Sequence, residues 1–202
     1  MKLIFATNNQ HKVNEMQAAI GEGLEIVTLK QAGIAIEIPE PHDTLEANAS
    51  EKSRTISRLT GIDCFSEDTG LEVMALNGEP GVKSARYAGE DKSFEKNIEK
   101  LLFNLKDKPD KRAQFRTVIS LLFDEKEYFF EGICKGEIIP TKKGASGFGY
   151  DPVFIPTGSY RSFAEMTIEE KNQYSHRKKA ADKLVTFLRE YGSKENVSSK
   201  TH

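Results

Sequence analysis

The stretch AQFRTVISLLFDEKEYFFEGICKGEII, residues 113–139, decides the fold. It contains two β-rich runs, 113–124 and 127–139, which are separated by a short charged turn. Two long strands joined by so short a turn predict an antiparallel β-hairpin. Any sheet that holds this hairpin therefore contains antiparallel pairs, whatever connections the rest of the chain makes.

Outward from the hairpin, short strands alternate with helices. The apolar runs 2–7 and 24–29 predict strands, and residues 62–70 predict a strand that runs into a turn. Asp43, with Glu46 three residues later, resembles a helix capping box. Apolar residues at helical spacing predict helices near residues 13–20, 43–59, 94–105 and 176–191. Together with the hairpin, this alternation predicts an α/β protein with a mixed β-sheet and flanking helices.

Length and composition limit the class of protein. The chain has 202 residues and a net charge of -2. Its length predicts a single domain over 1–192, and the polar composition of residues 193–202 predicts a disordered tail. So small a charge gives no field for nucleic acid or a membrane surface, and we expect neither partner. Cys64 and Cys134 lie far apart and read as free thiols of a reducing compartment. With no signal-like apolar run at the start, a cytoplasmic location is expected.

The segment ATNNQHK, residues 6–12, predicts a phosphate site. A strand that ends in small polar residues before a helix presents free backbone N–H groups to an anion. Thr7, Asn8 and Asn9 add side-chain donors, and Lys12 adds a positive charge one turn later. The alternative interpretation is an ordinary turn with an asparagine cap and a solvated lysine.

Three carboxylates predict a magnesium site. Glu67 and Asp68 stand in SEDTG, at the end of the predicted strand 62–70, and Glu40 stands in a proline-containing loop. Strand ends are where α/β sheets place their chemistry, and because side chains alternate, one acid could face the site while the other supports it. Mg²⁺ is held by one or two carboxylates plus substrate phosphates. The alternative is a polar strand exit without a metal.

The glycine-rich segment GASGFGYDP, residues 144–152, predicts a binding loop for a flat ring. Glycine lets the backbone approach a ligand closely. Phe148 or Tyr150 could stack on a base, and Asp151 could accept a hydrogen bond from a ring N–H. The alternative is a glycine loop with one aromatic side chain buried in the core.

The last predicted helix begins with cations. Ser175 stands at the N-cap position, and the first turn reads HRKK, residues 176–179. Positive charge is unfavourable at a helix N-terminus. Lys171, His176 and Arg177 all donate hydrogen bonds when protonated. The cluster therefore requires an acceptor, which is a phosphate, a carboxylate or a carbonyl oxygen.

Six segments, taken in order, resemble the inosine triphosphate pyrophosphatase family. They are ATNNQHKVNE, EPHDTLEANA, SEDTGLEV, GEPGVKSARYAG, GFGYDPVF and AEMTIEEKNQYSHRKKA, and they cover the chain from residue 6 almost to residue 180. The resemblance implies hydrolysis of ITP, dITP and XTP to the monophosphate and pyrophosphate. It also implies an elongated α/β fold with two lobes around a central substrate groove, and a homodimer.

The resemblance further implies roles for individual residues. Asp68 corresponds to the catalytic acid, and Asp68, Glu40 and Glu67 to the carboxylates that bind Mg²⁺. His176 and Arg177 are expected to donate to the 6-oxo oxygen of the base, which adenine replaces with an amino donor. The positions expected to bind phosphate are Thr7, Asn8, Asn9, Lys12 and Lys52. The positions expected to contact the substrate or its base are Thr69, Phe148, Gly149, Tyr150, Asp151, Lys171, His176 and Arg177.

Two other functions are considered. The Maf-like nucleotide pyrophosphatases have a related architecture, but their members carry an SPRR-type motif after the first strand where this chain has TNNQHK. A non-catalytic nucleotide sensor could use the same pocket, although Asp68 and Lys12 argue against it. Release of pyrophosphate from ITP, compared with binding alone, separates an enzyme from a sensor.

Overall fold

The computed structural model describes residues 2–21 and 24–198. Within them lie seven strands, β1 (Lys2–Phe5), β2 (Glu25–Thr28), β3 (Cys64–Val73), β4 (Pro80–Gly81), β5 (Arg112–Phe123), β6 (Lys126–Ile138) and β7 (Phe154–Pro156). The described α-helices are α1 (Gln10–Ile20), α2 (Leu45–Thr60), α3 (Phe94–Leu105), α4 (Ile168–Lys171) and α5 (His176–Ser198).

The strands form one mixed sheet in the order β2-β1-β3-β5-β6-β7, with β4 added beside β3. Strand β1 is parallel to β2 and β3, whereas β3, β5, β6 and β7 pair antiparallel. The β5–β6 hairpin pairs from Arg112↔Glu137 to Phe123↔Lys126. Asp124 and Glu125 at its tip have φ values of 49° and 60°, as a two-residue type I′ turn requires. The predicted hairpin and mixed sheet are confirmed.

Strand β3 is longer than the sequence predicts. Its pairing with β5 continues from Cys64↔Leu122 to Val73↔Ala113, so Glu67 and Asp68 lie in the middle of a strand and not at its end. Gly70, where the sequence predicts that the strand gives way to a turn, instead continues the strand. A Cβ atom there would lie 2.6 Å from the carbonyl oxygen of Gly81, so glycine permits the close approach of β4.

Two hydrophobic cores define two lobes. The first lobe is built around Leu3, Phe5, Met16, Ile119 and Leu184, with a smaller cluster of Ile4, Leu29, Ile56 and Cys64 beneath α2. The second lobe is built around Leu71, Tyr87, Leu101, Phe115, Phe154 and Phe163. Strands β3 and β5 contribute to both cores. Glu67 and Asp68 therefore stand where one lobe passes into the other.

The helix ends differ in two places from the sequence prediction. Helix α2 is capped by Thr44, whose Oγ1 accepts a hydrogen bond from the N–H of Ala47 at 3.2 Å, and not by Asp43 as predicted. Helix α5 continues to Ser198 and so runs into the predicted disordered tail, whereas 199–202 lie outside the described residues.

Among the helices that the structure describes, none has the length and apolar character that a membrane span requires.

Candidate active site

A cavity of about 970 Å³ opens between the two lobes. It is lined by all but one of the residues for which the sequence predicts a site role. These are Thr7, Asn8, Asn9, Lys12, Glu40, Lys52, Asp68, Thr69, Phe148, Gly149, Tyr150, Asp151, Lys171, His176 and Arg177. Glu67 is the exception. The side chains chosen from separate sequence segments thus converge on one groove, and their individual contacts decide what each can do.

The turn that carries residues 7–9 is already hydrogen-bonded internally. The side chain of Asn9 accepts from the backbone N–H groups of His11 and Lys12 at 3.0 and 3.2 Å. Thr7 Oγ1 accepts from the N–H of Asn9, and Asn8 Nδ2 donates to the carbonyl of Ile36. The asparagine cap, which was the alternative interpretation, is therefore present. A phosphate bound at this turn would share these N–H groups with the cap.

Lys12 is not the solvated lysine of that alternative. Its ammonium group lies 3.0 Å from Glu67 Oε1, and its side chain is only 15% exposed. Because Lys12 lines the cavity while its partner lies behind it, Glu67 holds a positive charge at the cavity wall.

Lys52 joins two carboxylates from different segments. Its Nζ lies 2.6 Å from Glu40 Oε1 and 3.3 Å from Asp68 Oδ1. Burial raises the pKa of Asp68. Burial opposes ionisation of Glu40 too, but the charge and hydrogen bond of Lys52, together with the charges of Lys12 and Arg86, outweigh burial and lower the pKa of Glu40. The two acids thus converge on one cation within the groove.

This pair of acids fits a divalent cation. Two carboxylates completed by substrate phosphates are a donor set that Mg²⁺ accepts in proteins. Among the described residues, no group of three or more His, Cys, Asp and Glu side chains forms a metal-binding cluster. Glu40 and Asp68 could therefore hold Mg²⁺ together with substrate oxygens, but not as a protein-only cage.

Glu67 stands apart from the other two predicted metal carboxylates. Its oxygens accept from Arg177 Nε at 2.8 Å and from Arg177 Nη2 at 3.0 Å. Its pKa is lowered because Arg177 and Lys12 overcome the effect of burial. Neighbouring residues of a strand point to opposite faces, which places Asp68 in the cavity and Glu67 behind it. The expectation that one acid faces the site and the other supports it fits this geometry.

Arg177 is surrounded by carboxylates. Besides its two bonds to Glu67, its Nη1 donates to Glu15, and its side chain is 1% exposed. Ser175 Oγ accepts from the N–H of Lys178 and so caps α5. The negative charge that belongs at a helix N-terminus is therefore supplied by α1 and β3, which explains why α5 can begin with cations.

Glu15 is a site residue that the sequence analysis missed. One of its oxygens binds Lys171 Nζ at 2.7 Å and the other binds Arg177. Burial opposes its ionisation, but Arg177 and Lys171 lower its pKa. The spacing of Glu15 from Lys12 gives no signal for these contacts, because Lys12 pairs with Glu67 and the partners of Glu15 lie far along the chain.

His176 is buried and neutral. Its ring stacks on Phe115 with the centroids 4.7 Å apart, and burial together with Arg177 and Lys171 lowers its pKa. Its Nδ1 has no hydrogen-bond partner among the described residues. A neutral imidazole donates through one nitrogen only, so donation from His176 to a base stays a prediction that rests on a single N–H.

The two aromatic residues of the glycine loop have separate roles. Tyr150 is 3% exposed, belongs to the second core, and donates its hydroxyl to the carbonyl of Ser84 at 2.8 Å. Phe148 lines the cavity and stacks on His11, with the ring centroids 5.0 Å apart. The core interpretation applies to Tyr150, whereas stacking of a base on Phe148, which lines the cavity, stays a prediction.

Asp151 and Lys171 fix the position of Phe148. Asp151 Oδ2 accepts from Lys171 Nζ at 2.7 Å and from the backbone N–H of Phe148 at 3.0 Å. A Cβ atom at Gly147 would lie 2.1 Å from the same oxygen. Asp151 Oδ2 is therefore occupied by two protein donors, and a predicted hydrogen bond from a base N–H to this oxygen would have to share it.

Comparisons with known proteins agree with this geometry. The model of the Ham1 family matches residues 3–187. A "dITP/XTP pyrophosphatase" of Flavobacterium johnsoniae is 48% identical over 188 residues, which cover 93% of this chain and 98% of that protein. The protein of the same name from Porphyromonas gingivalis is 51% identical, with 93% and 97% covered.

Solved structures match as well. The Ham1 protein of Staphylococcus aureus superposes with a TM-score of 0.85 at 40% identity, covering 95% of this chain and all of that one. The dITP/XTP pyrophosphatase structure from Mycobacterium abscessus gives a TM-score of 0.73 at 39% identity, with 91% and 98% covered. The predicted fold class, a mixed sheet with flanking helices and two lobes, is confirmed.

Proposed function

The chain belongs to the Ham1 family, and from this premise we propose that it hydrolyses the non-canonical purine nucleoside triphosphates dITP, XTP and ITP to the monophosphate and pyrophosphate. The observation that carries the proposal is the composition of the cavity. One groove holds the acids Glu40 and Asp68, the lysines Lys12 and Lys52, and an aromatic ring at Phe148. A metal–triphosphate and a flat base require this combination.

The reaction is a displacement at the α-phosphorus. Asp68 orients a water molecule and accepts its proton as the water oxygen bonds to phosphorus, and the bond from phosphorus to the bridging oxygen breaks to release pyrophosphate. Burial raises the pKa of Asp68, which improves it as a base. Lys12 and Lys52 stabilise charge on the phosphate oxygens, which is the main contribution of proteins to phosphoryl transfer.

Magnesium is proposed as the cofactor. Glu40 and Asp68, which both contact Lys52, would hold it, and Glu67 is assigned instead to Lys12 and Arg177. The chemistry that Mg²⁺ supplies when bound is neutralisation of negative charge on the triphosphate. Lys52 now contacts both acids, and it would lose its contact with one of them if that acid bound the metal.

Base selection is assigned to Phe148 and His176. Phe148 provides a stacking surface at the cavity wall, and the unpaired Nδ1 of the neutral His176 suits donation to a 6-oxo oxygen. Adenine would place its 6-amino donor against that N–H, and an unpaired buried donor is costly. Arg177 acts behind His176 and Thr69, because its donors go to Glu67, Glu15 and Thr69.

Three coarser properties are proposed with this function: a single domain over 1–192, a homodimer, and a cytoplasmic location. The domain assignment is supported by β3 and β5, which run through both cores. The location is supported by two buried free cysteines, Cys64 and Cys134. The homodimer is supported by the family alone, and light scattering on the purified protein tests it.

The variant Asp68→Asn tests the site. We expect kcat for XTP to fall by about 10²–10⁴-fold, the range for loss of a positioned general base, with the thermal unfolding midpoint little changed. Asp107→Asn, which alters an exposed aspartate away from the cavity, is the matched control and should turn over normally. Near-normal kcat in Asp68→Asn would remove Asp68 from its catalytic role.

A further inference from the structure

Arg86 reaches the cavity from the lobe opposite the two lysines. It ends a short 3₁₀ turn, Ser84–Arg86, and the next residue, Tyr87, packs in the second core. Lys12 and Lys52 lie on α1 and α2, which pack in the first lobe. All three side chains line the same cavity. A triphosphate lying between Lys12 and Lys52 would therefore have Arg86 on its other side.

The guanidinium group of Arg86 makes only long contacts with carboxylates of the protein. Its Nη2 lies 3.4 Å from Glu40 Oε2, longer than an ordinary charge-assisted hydrogen bond. Its Nε lies 3.5 Å from the exposed carboxylate of Glu90. The same Nε is buried and makes no hydrogen bond among the described residues. A buried N–H without an acceptor is unfavourable, so the group is suited to an acceptor that arrives with a ligand.

Arg177, which also lines the cavity, shows the contrast. It donates to Glu67 at 2.8 and 3.0 Å and also to Glu15. Its charge is balanced by two carboxylates that do not line the cavity. Arg86 shares Glu40 with Lys52, and Lys52 holds the nearer contact at 2.6 Å. Arg86 is thus the more distant of the two cationic partners of Glu40, and Glu40 is itself proposed to bind Mg²⁺.

We infer that Arg86 is a triphosphate-binding residue, which Glu40 holds in the free protein and which exchanges Glu40 for phosphate oxygens when substrate binds. This inference rests on the proposed function. A guanidinium group presents its N–H donors in a planar fork that matches two phosphate oxygens, which an ammonium group cannot do. The exchange would connect the second lobe to a substrate already held by Lys12 and Lys52.

The test separates phosphate binding from base binding. Titration calorimetry in metal-free buffer measures the affinity of wild type, Arg86→Ala and Arg86→Lys for inorganic pyrophosphate and, separately, for the nucleoside xanthosine. Arg86→Ala should weaken pyrophosphate binding by at least about tenfold, the effect of losing one hydrogen bond between charged groups. Xanthosine binding should stay within about twofold. Arg86→Lys should be intermediate for pyrophosphate because it keeps the charge and loses the fork.

Lys83→Ala is the control. It removes the same charge three residues earlier, from an exposed side chain that does not line the cavity, and should bind pyrophosphate like wild type. Equal weakening of pyrophosphate and xanthosine in Arg86→Ala and in the packing-conserving Arg86→Gln would show a structural role and overturn the inference. Unchanged pyrophosphate affinity would overturn it too. Failure of wild type to hydrolyse XTP would refute the proposed function, whereas the calorimetry still decides the role of Arg86.

Discussion

Arg177 has its charge balanced inside the protein and not by a ligand. Glu67 from β3 and Glu15 from α1 both accept from its guanidinium, and Lys12 and Lys171 are held by the same two acids. The positive charge at the N-terminus of helix α5 is therefore compensated by carboxylates from other elements of the fold. Removing Arg177 would leave the buried carboxylates of Glu15 and Glu67 with fewer partners. We therefore expect the main effect to be a lower free energy of unfolding, and any change in base preference to be secondary.

Arg177→Ala should lower the free energy of unfolding by about 3–5 kcal/mol, the cost of breaking a buried ion pair from one side. Chemical denaturation measures this value. Lys178→Ala removes the neighbouring charge, which pairs with Asp182 at the surface, and should change stability by less than about 1 kcal/mol. A loss in Arg177→Ala no larger than in Lys178→Ala would show that the buried network does not hold the helix.

At this scale the sequence predicted which side chains meet but not how they pair. Thr7, Lys12 and Asp68 were assigned to one site and do line one cavity. Alternation along the strand allowed one of Glu67 and Asp68 to support the other, but the sequence did not show that Glu67 pairs with Arg177. Glu15 was missed because its partners, Lys171 and Arg177, lie far along the chain.

At the scale of elements, helix α5 depends on a glycine of the hairpin. A Cβ atom at Gly132 in β6 would lie 2.0 Å from the carbonyl oxygen of His176 and 2.6 Å from the backbone nitrogen of Ala180. The first turn of α5 therefore packs directly on the backbone of the strand. That contact sets the position of His176 and Arg177 relative to β3 and the cavity.

Gly132→Ala should destabilise the protein by about 1–3 kcal/mol or more, because backbone atoms must move to admit the methyl group. Turnover should fall as well, since α5 carries His176. Gly192→Ala, where a Cβ atom meets nothing within 4 Å, should instead stabilise by up to about 1 kcal/mol through helix propensity. Thermal and chemical unfolding of the two variants compare them, and equal stability would contradict the close packing at Gly132.

The elements themselves were largely predictable. The hairpin followed from two β-rich runs and a charged turn, and the helices from apolar spacing. The predicted end of β3 was wrong. Gly70 permits the close approach of β4, and in sequence such a glycine cannot be distinguished from one that forms a turn. The cap of α2 was wrong by one residue, Thr44 in place of Asp43, because both side chains can accept a backbone hydrogen bond.

At the scale of the whole molecule, the sheet joins two cores and leaves a groove between them. Strands β3 and β5 run through both lobes, so the acids of β3 are held at the junction by the full length of the hairpin. The sequence implied two lobes only through its family resemblance. No local pattern shows where one core ends and another begins, because this depends on the sheet order.

The central claim is that this groove cleaves between the α- and β-phosphates of non-canonical purine nucleoside triphosphates. Phosphorus NMR of XTP incubated with the wild-type protein tests it most directly, with Mg²⁺ present or removed by EDTA and with ATP and GTP as parallel substrates. We expect monophosphate and pyrophosphate in equal amounts from XTP, little product from ATP, and none with EDTA, while GTP, which shares the 6-oxo oxygen, tests whether a further contact refuses the 2-amino group of guanine. Orthophosphate and a nucleoside diphosphate as products, or equal turnover of XTP and ATP, would contradict the claim.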